Sequence, residues 1–149
     1  MSVEVVVDTS VALKWVLYES DTPKAQALLD EWNEKAVKIF APSLLIYEVT
    51  NALYKKMRKG EIDPARVQEA MNAMTFVGIS FEFSPNFSLS KQAVKHASRF
   101  GLPATYDAHY LALAERRGCE LWTADIRLWN SIRGKLAWVR WLDEYNPSH

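Results

Sequence analysis

The β-branched run Val3 to Val7, ending at Asp8, constrains this chain more than any other feature. Successive β-branched residues favour extended backbone, and the run is too short for a helix. Val5, Val6 and Val7 follow one another without polar alternation, so it reads as a buried strand. Such strands belong in parallel sheets covered by helices.

The rest of the sequence repeats strand and helix in turn. A short helix is expected from Val11 to Tyr18, and Asp21, Thr22 and Pro23 supply capping and first-turn chemistry for another through Glu34. Lys38 to Ala41 reads as a strand, and Ser43 is placed to cap a helix that stops near Gly60. Asp63 and Pro64 open the next helix, Ile79 to Phe83 reads as a strand, and Ser88 is expected to cap a helix to Arg99. Pro103 precedes a sixth helix, followed by a strand at Glu120 to Ala124, a short helix at Ile126 to Ile132, and a last strand at Ala137 to Leu142. The alternation predicts an α/β fold with a mainly parallel sheet, whose ligand site lies at the carboxyl ends of the strands. At 149 residues and 49% hydrophobic content, one globular domain over 1–149 is expected.

Charge narrows the function. Eighteen basic and eighteen acidic residues cancel, with eight of each sign up to residue 60 and ten of each after it. Neither half is a basic arm, so bulk electrostatics does not draw this protein to nucleic acid, although a locally charged cleft can. The single cysteine, Cys119, has no internal partner, as befits a reducing compartment. MSVEVVVD lacks the basic start of a signal peptide, and no stretch approaches the ~20 apolar residues of a membrane span. A soluble, cytoplasmic protein is expected.

Against that background four acids stand out: Asp8 in VVVDTS, Glu48 in LLIYEVTNAL, Asp107 in TYDAHYLALAE and Asp125 in ELWTADIRL. Carboxylates are seldom buried unless paired. Asp8 and Asp125 each end a predicted strand and so share one edge of a parallel sheet. Helical spacing puts Glu48 with Leu44, Leu45 and Ala52, inside the apolar arc and toward the sheet. Asp107 is neighboured by Ala104, Tyr110, Leu111 and Ala114, in a first helical turn whose dipole favours an anion. Taken singly, each acid reads equally well as a cap or a satisfied carboxylate. Two carboxylates ~5 Å apart repel by roughly 3 kcal/mol at an effective dielectric of 20, so a cluster needs a positive charge or shared protons. The nearest basic residues in sequence are Lys14 and Arg127. Oxygen ligands without His or Cys suit Mg²⁺ or Mn²⁺, and the chemistry to expect is metal-assisted attack of water on a phosphodiester.

In these segments the chain resembles the PIN-domain family of metal-dependent nucleases, and within it the VapC toxins of VapBC toxin–antitoxin modules. VVVDTS, the glutamate of IYEVTNAL, the block TYDAHYLALAERRGCELWTAD and a strand near the end occur in that family's order. The resemblance covers essentially the whole chain. It implies a five-stranded parallel sheet between helices, Mg²⁺- or Mn²⁺-dependent ribonuclease activity, a small VapB-like antitoxin partner and a homodimer. It maps Asp8, Glu48, Asp107 and Asp125 onto the acidic metal site and Ser10 onto the hydroxyl beside the first acid, where Ser10 is also placed to cap the first helix.

Other readings compete. Asp8 after a first strand also suits a phosphatase or phosphotransferase nucleophile, but residue 10 is Ser rather than a second acid. Five dispersed glycines form neither a P-loop nor a dinucleotide fingerprint. A non-catalytic interaction protein on the same fold is a third class. Trp122, Trp129, Trp138 and Trp141 suit core or subunit contact more than base stacking, and Lys55, Lys56, Arg58 and Lys59 suit a solvated helix end as well as RNA phosphates. His96 and His109 lack metal-ligand spacing, and nothing positions a Ser10–His109–Asp triad. Apolar faces around Leu44, Leu53 and Met57 offer docking surface for an antitoxin, with core packing the more usual role.

Overall fold

The computed structural model describes residues 3–147. Five strands form one parallel sheet: β1 (Glu4–Val7), β2 (Lys38–Pro42), β3 (Ser80–Glu82), β4 (Glu120–Thr123) and β5 (Val139–Trp141). Seven helices connect and cover them among the described residues: α1 (Thr9–Val16), α2 (Thr22–Glu34), α3 (Leu44–Arg58), α4 (Pro64–Val77), α5 (Ser88–Phe100), α6 (Tyr106–Arg117) and α7 (Ile126–Ile132). Val5, Val6 and Val7 are all buried, so helices close both faces of the central strand, in the α/β/α arrangement that the unalternated run predicts. No helix among the described residues is long and apolar enough to cross a membrane.

The strand order is β3-β2-β1-β4-β5. The chain steps outward from β1 to β2 and β3, then crosses back to lay β4 on the other side of β1. Val5 pairs with Ile39 on one flank and with Glu120 on the other. The order therefore reverses between β1 and β4, and the crevice above their carboxyl ends is where an open α/β sheet binds ligands. Asp8 follows β1 directly, and Asp125 lies two residues beyond β4.

Three expected caps are used otherwise. Asp21 makes no side-chain cap bond to α2, because it pairs with Lys14 at 3.0 Å. Ser43 has helical backbone (φ −57°, ψ −21°) and its hydroxyl caps nothing. Ser88 lies inside α5, where its N–H donates to Asn86 Oδ1 at 3.1 Å. Asp63 does cap α4, accepting from Arg66 N–H at 2.7 Å. The tryptophans serve packing: Trp122 is buried edge-on between Trp32 and Tyr145, and Trp129 stacks on Trp141.

Candidate active site

All four acids line one cleft of about 240 Å³, together with Thr9, Ser10, Leu13 and Tyr110. Asp8 is 3% exposed and serves as the N-cap of α1, its Oδ1 accepting from Val11 N–H at 3.3 Å. The Ser10 hydroxyl also donates to Oδ1, and the Thr123 hydroxyl donates to Oδ2. Both hydroxyls accept in turn from backbone just past β4: Ser10 Oγ from Ala124 N–H at 2.8 Å, and Thr123 Oγ1 from Asp125 N–H at 3.0 Å. This lacing fixes the end of β1 against the end of β4. Ser10 is thus beside Asp8 as expected, but its hydroxyl does not cap α1, because Asp8 itself occupies that position.

Asp125 is the N-cap of α7, with Oδ1 accepting from Arg127 N–H at 2.9 Å. Glu48 comes from the second turn of α3. Its core face is formed by Leu45, Val49 and Leu53, all buried, which leaves Glu48 half-buried at the margin of that face, where it reaches the cleft. Glu48 Oε1 accepts from Thr9 Oγ1 at 3.0 Å and from the hydroxyl of Tyr110, and those two hydroxyls lie 3.0 Å apart. Asp107, in the first turn of α6, takes no hydrogen bond from any described residue.

Asp107 lies within electrostatic range of Asp8, Glu48 and Asp125, and no described basic side chain forms an ion pair with any of the four. Burial pushes the Asp8 carboxyl up to about 7 despite its hydroxyl donors, with the Asp107 charge adding to the rise. Asp107 is pushed up to about 6 by burial and then by the charges of Asp125 and Glu48. Burial, with Glu48 alongside, holds the Tyr110 phenol protonated far above its ordinary range. Lys14 does not relieve this repulsion, because it is spent on Glu19 and Asp21, each at 3.0 Å. Arg127 forms no ion pair among the described residues.

No three His, Cys, Asp or Glu side chains among the described residues form a ready-made metal cage. The donor set is nonetheless that of a hard cation: carboxylate oxygens alone, repelling one another across an open cleft. Mg²⁺ and Mn²⁺ suit such a site, since Mg²⁺ in particular keeps several waters and takes only one or two direct protein carboxylates. His109 lies outside this chemistry, bonded to Ser90 Oγ and the Thr105 carbonyl. His96 is equally apart, buried against Glu115.

Sequence reasoning missed Thr9, Tyr110 and Thr123. Tyr110 had registered only as an apolar neighbour of Asp107. The available signal was spacing: Thr9 follows Asp8, Thr123 precedes Asp125 by two, and Tyr110 follows Asp107 by three, so each hydroxyl rides on an element that carries an acid.

The PIN domain family model matches residues 5–134, a span that includes the four acids. Exonuclease VapC9 of Pyrobaculum aerophilum is 30% identical over 107 residues, 72% of this chain and 77% of that protein. A crystal structure of a Pyrobaculum aerophilum protein is similar with a TM-score of 0.64 at 26% identity, covering 96% of this chain and 93% of that one. A chain of a toxin–antitoxin complex from Klebsiella pneumoniae has a TM-score of 0.63 over 97% of this chain and 98% of its own, and at 17% identity that likeness concerns the fold.

Proposed function

The chain belongs to the PIN-domain family, and from that premise we propose that it is a Mg²⁺- or Mn²⁺-dependent ribonuclease that cuts RNA internally, the toxin of a type II toxin–antitoxin module. The observation that carries this reading is the uncompensated acidic cleft, above all Asp107, pushed up to about 6 with no hydrogen-bond donor to relieve it. Asp8, Glu48, Asp107 and Asp125 would hold the cation. When bound, it supplies neutralisation of the non-bridging phosphate oxygens and acidifies the water that attacks phosphorus.

The chain's own groups do the rest. Ser10 and Thr123 hold Asp8 by both oxygens, and the first amides of α7 hold Asp125. Asp107, free of protein donors, is the carboxylate able to take the proton of the attacking water.

Incubating the purified protein with linear and circular RNAs in Mg²⁺, Mn²⁺ or chelator tests the proposal. Metal-dependent opening of a circle is the expected result. Products released only from linear ends would instead assign an exonuclease, as the Pyrobaculum relative is named. Intact RNA in every metal would sink the reading.

Ser10→Ala should cost less than loss of an acid. It strips Asp8 of one donor and leaves the Ala124 N–H without its acceptor, so about 1–2 kcal/mol of stability and roughly a tenfold fall in cleavage are expected. Urea titration and initial rates measure both, and a loss as large as that of Asp8→Asn would contradict the ranking.

The same proposal includes a cytoplasmic homodimer and a small antitoxin whose arginine pairs with Asp8 or Asp107. The faces weighed for such a partner around Leu44, Leu53 and Met57 take the more usual role of core packing. Leu53 is fully buried, and Leu44 and Met57 pack against the core. An open groove of about 280 Å³ lies instead between α3 and α4, with Ile46, Thr50, Met71 and Met74 in its walls and Phe81 of β3 at its side.

A further inference from the structure

We propose that Tyr110 and Thr9 are positioning residues for the cation site: together they pin Glu48 by Oε1, so that Oε2 is offered to the cleft as a fixed ligand. The inference rests on the reading of the four acids as a metal site and concerns two hydroxyls outside that set.

Three contacts join three side chains. Thr9 Oγ1 and the Tyr110 hydroxyl both donate to Glu48 Oε1, and the two hydroxyl oxygens are 3.0 Å from each other. Each hydroxyl has one proton to give. If both go to Oε1, that oxygen is held by two donors converging on it from one side. Oε2 takes no hydrogen bond from any described residue. One oxygen is therefore held by the protein and the other is left for a ligand.

The three groups come from different elements. Thr9 opens α1, Glu48 is on α3 and Tyr110 is on α6. A glutamate carries three rotatable side-chain bonds, and Glu48 on α3 has no backbone cap to restrain its carboxylate. The Tyr110 ring is 1% exposed and packed in the core, which makes its hydroxyl a rigid peg that sets where the carboxylate can sit. Thr9, directly after Asp8, ties the same oxygen to the element that carries the first acid. A tyrosine serving packing alone has no need to end on a carboxylate of the cleft.

Titrating MnCl₂ into the metal-free protein by calorimetry tests this without reference to turnover. Tyr110→Phe and Thr9→Val should each weaken Mn²⁺ binding about tenfold, while Thr9→Ser, which keeps the hydroxyl, should retain the affinity that Thr9→Val loses. Raising Mn²⁺ should restore RNA cleavage by Tyr110→Phe but not by Glu48→Gln, which removes the ligand itself. If Tyr110→Phe fails to fold, Thr9→Val against Thr9→Ser decides. Wild-type Mn²⁺ affinity in both Tyr110→Phe and Thr9→Val, with binding lost in Glu48→Gln, would overturn the positioning role alone. Wild-type affinity in Glu48→Gln as well would overturn the metal-site reading with it.

Discussion

Asp107→Asn is expected to abolish the proposed RNA cleavage while leaving the fold intact. The substitution is nearly isosteric, and since Asp107 takes no hydrogen bond from any described residue, no protein donor is orphaned. What disappears is one negative charge in a cleft where Asp125 and Glu48 already act on it, and with it the proposed acceptor of the water's proton. Loss of an outer hydrogen-bond partner costs a metal site roughly 10–100-fold. Loss of the carboxylate itself should cost more, on the order of 1,000-fold, or about 4 kcal/mol in the barrier. Single-turnover cleavage alongside circular dichroism measures the effect, and undiminished hydrolysis by a folded Asp107→Asn protein would remove this residue from the mechanism.

The second large effect is on stability in the absence of metal. Asp8 has its pKa pushed from 3.8 up to about 7, and Asp107 from 3.8 up to about 6. A carboxyl whose folded value exceeds its unfolded value holds its proton more tightly in the native state. Between about pH 4 and 7 the native protein therefore binds more protons than the unfolded chain, and unfolding free energy falls as pH rises through that window. For buried Asp8 the swing is about 4 kcal/mol. In chelator, urea midpoints of the wild type should drop from pH 4.5 to pH 7.5 relative to Asp107→Asn, which lacks one of the two groups and relieves the other. Mn²⁺ at pH 7.5 should recover the loss in the wild type. Parallel pH profiles for the two proteins would mean that these carboxylates are not strained by folding.

Much of this architecture was legible because its signals are local. The Val5–Val7 run, and the acids that end β1 and follow β4, place Asp8 and Asp125 on one edge before any packing is known. Glu48 was legible by helical spacing, although its true position is the margin of the Leu45–Val49–Leu53 stripe rather than within it. The hydroxyls were not legible. Thr9, Thr123 and Tyr110 gain their meaning only from partners 39, 115 and 62 positions away, and a threonine in a strand or a tyrosine among leucines carries no mark of such a partner. The caps failed for a related reason. Asp21 has the chemistry of an N-cap, but Lys14 on a neighbouring element outbids the backbone for it. Competition between local and distant partners is decided by the fold.

The lacing of Asp8 to Thr123 also sets a time at which the cleft can exist. One of its walls is made within the first ten residues, yet the strand that holds Asp8 in place is 115 residues further on. At a synthesis rate of ~5–20 residues per second, roughly ten seconds separate the two on the ribosome. Once residue 48 is made, the growing chain carries Asp8 and Glu48 but neither β4 nor Asp125, and β1 lacks the neighbour on that flank. A polypeptide with this strand order stays unassembled at its acidic edge until synthesis is nearly finished, and a product cut short before β4 lacks both Asp125 and the hydroxyl that holds Asp8 Oδ2.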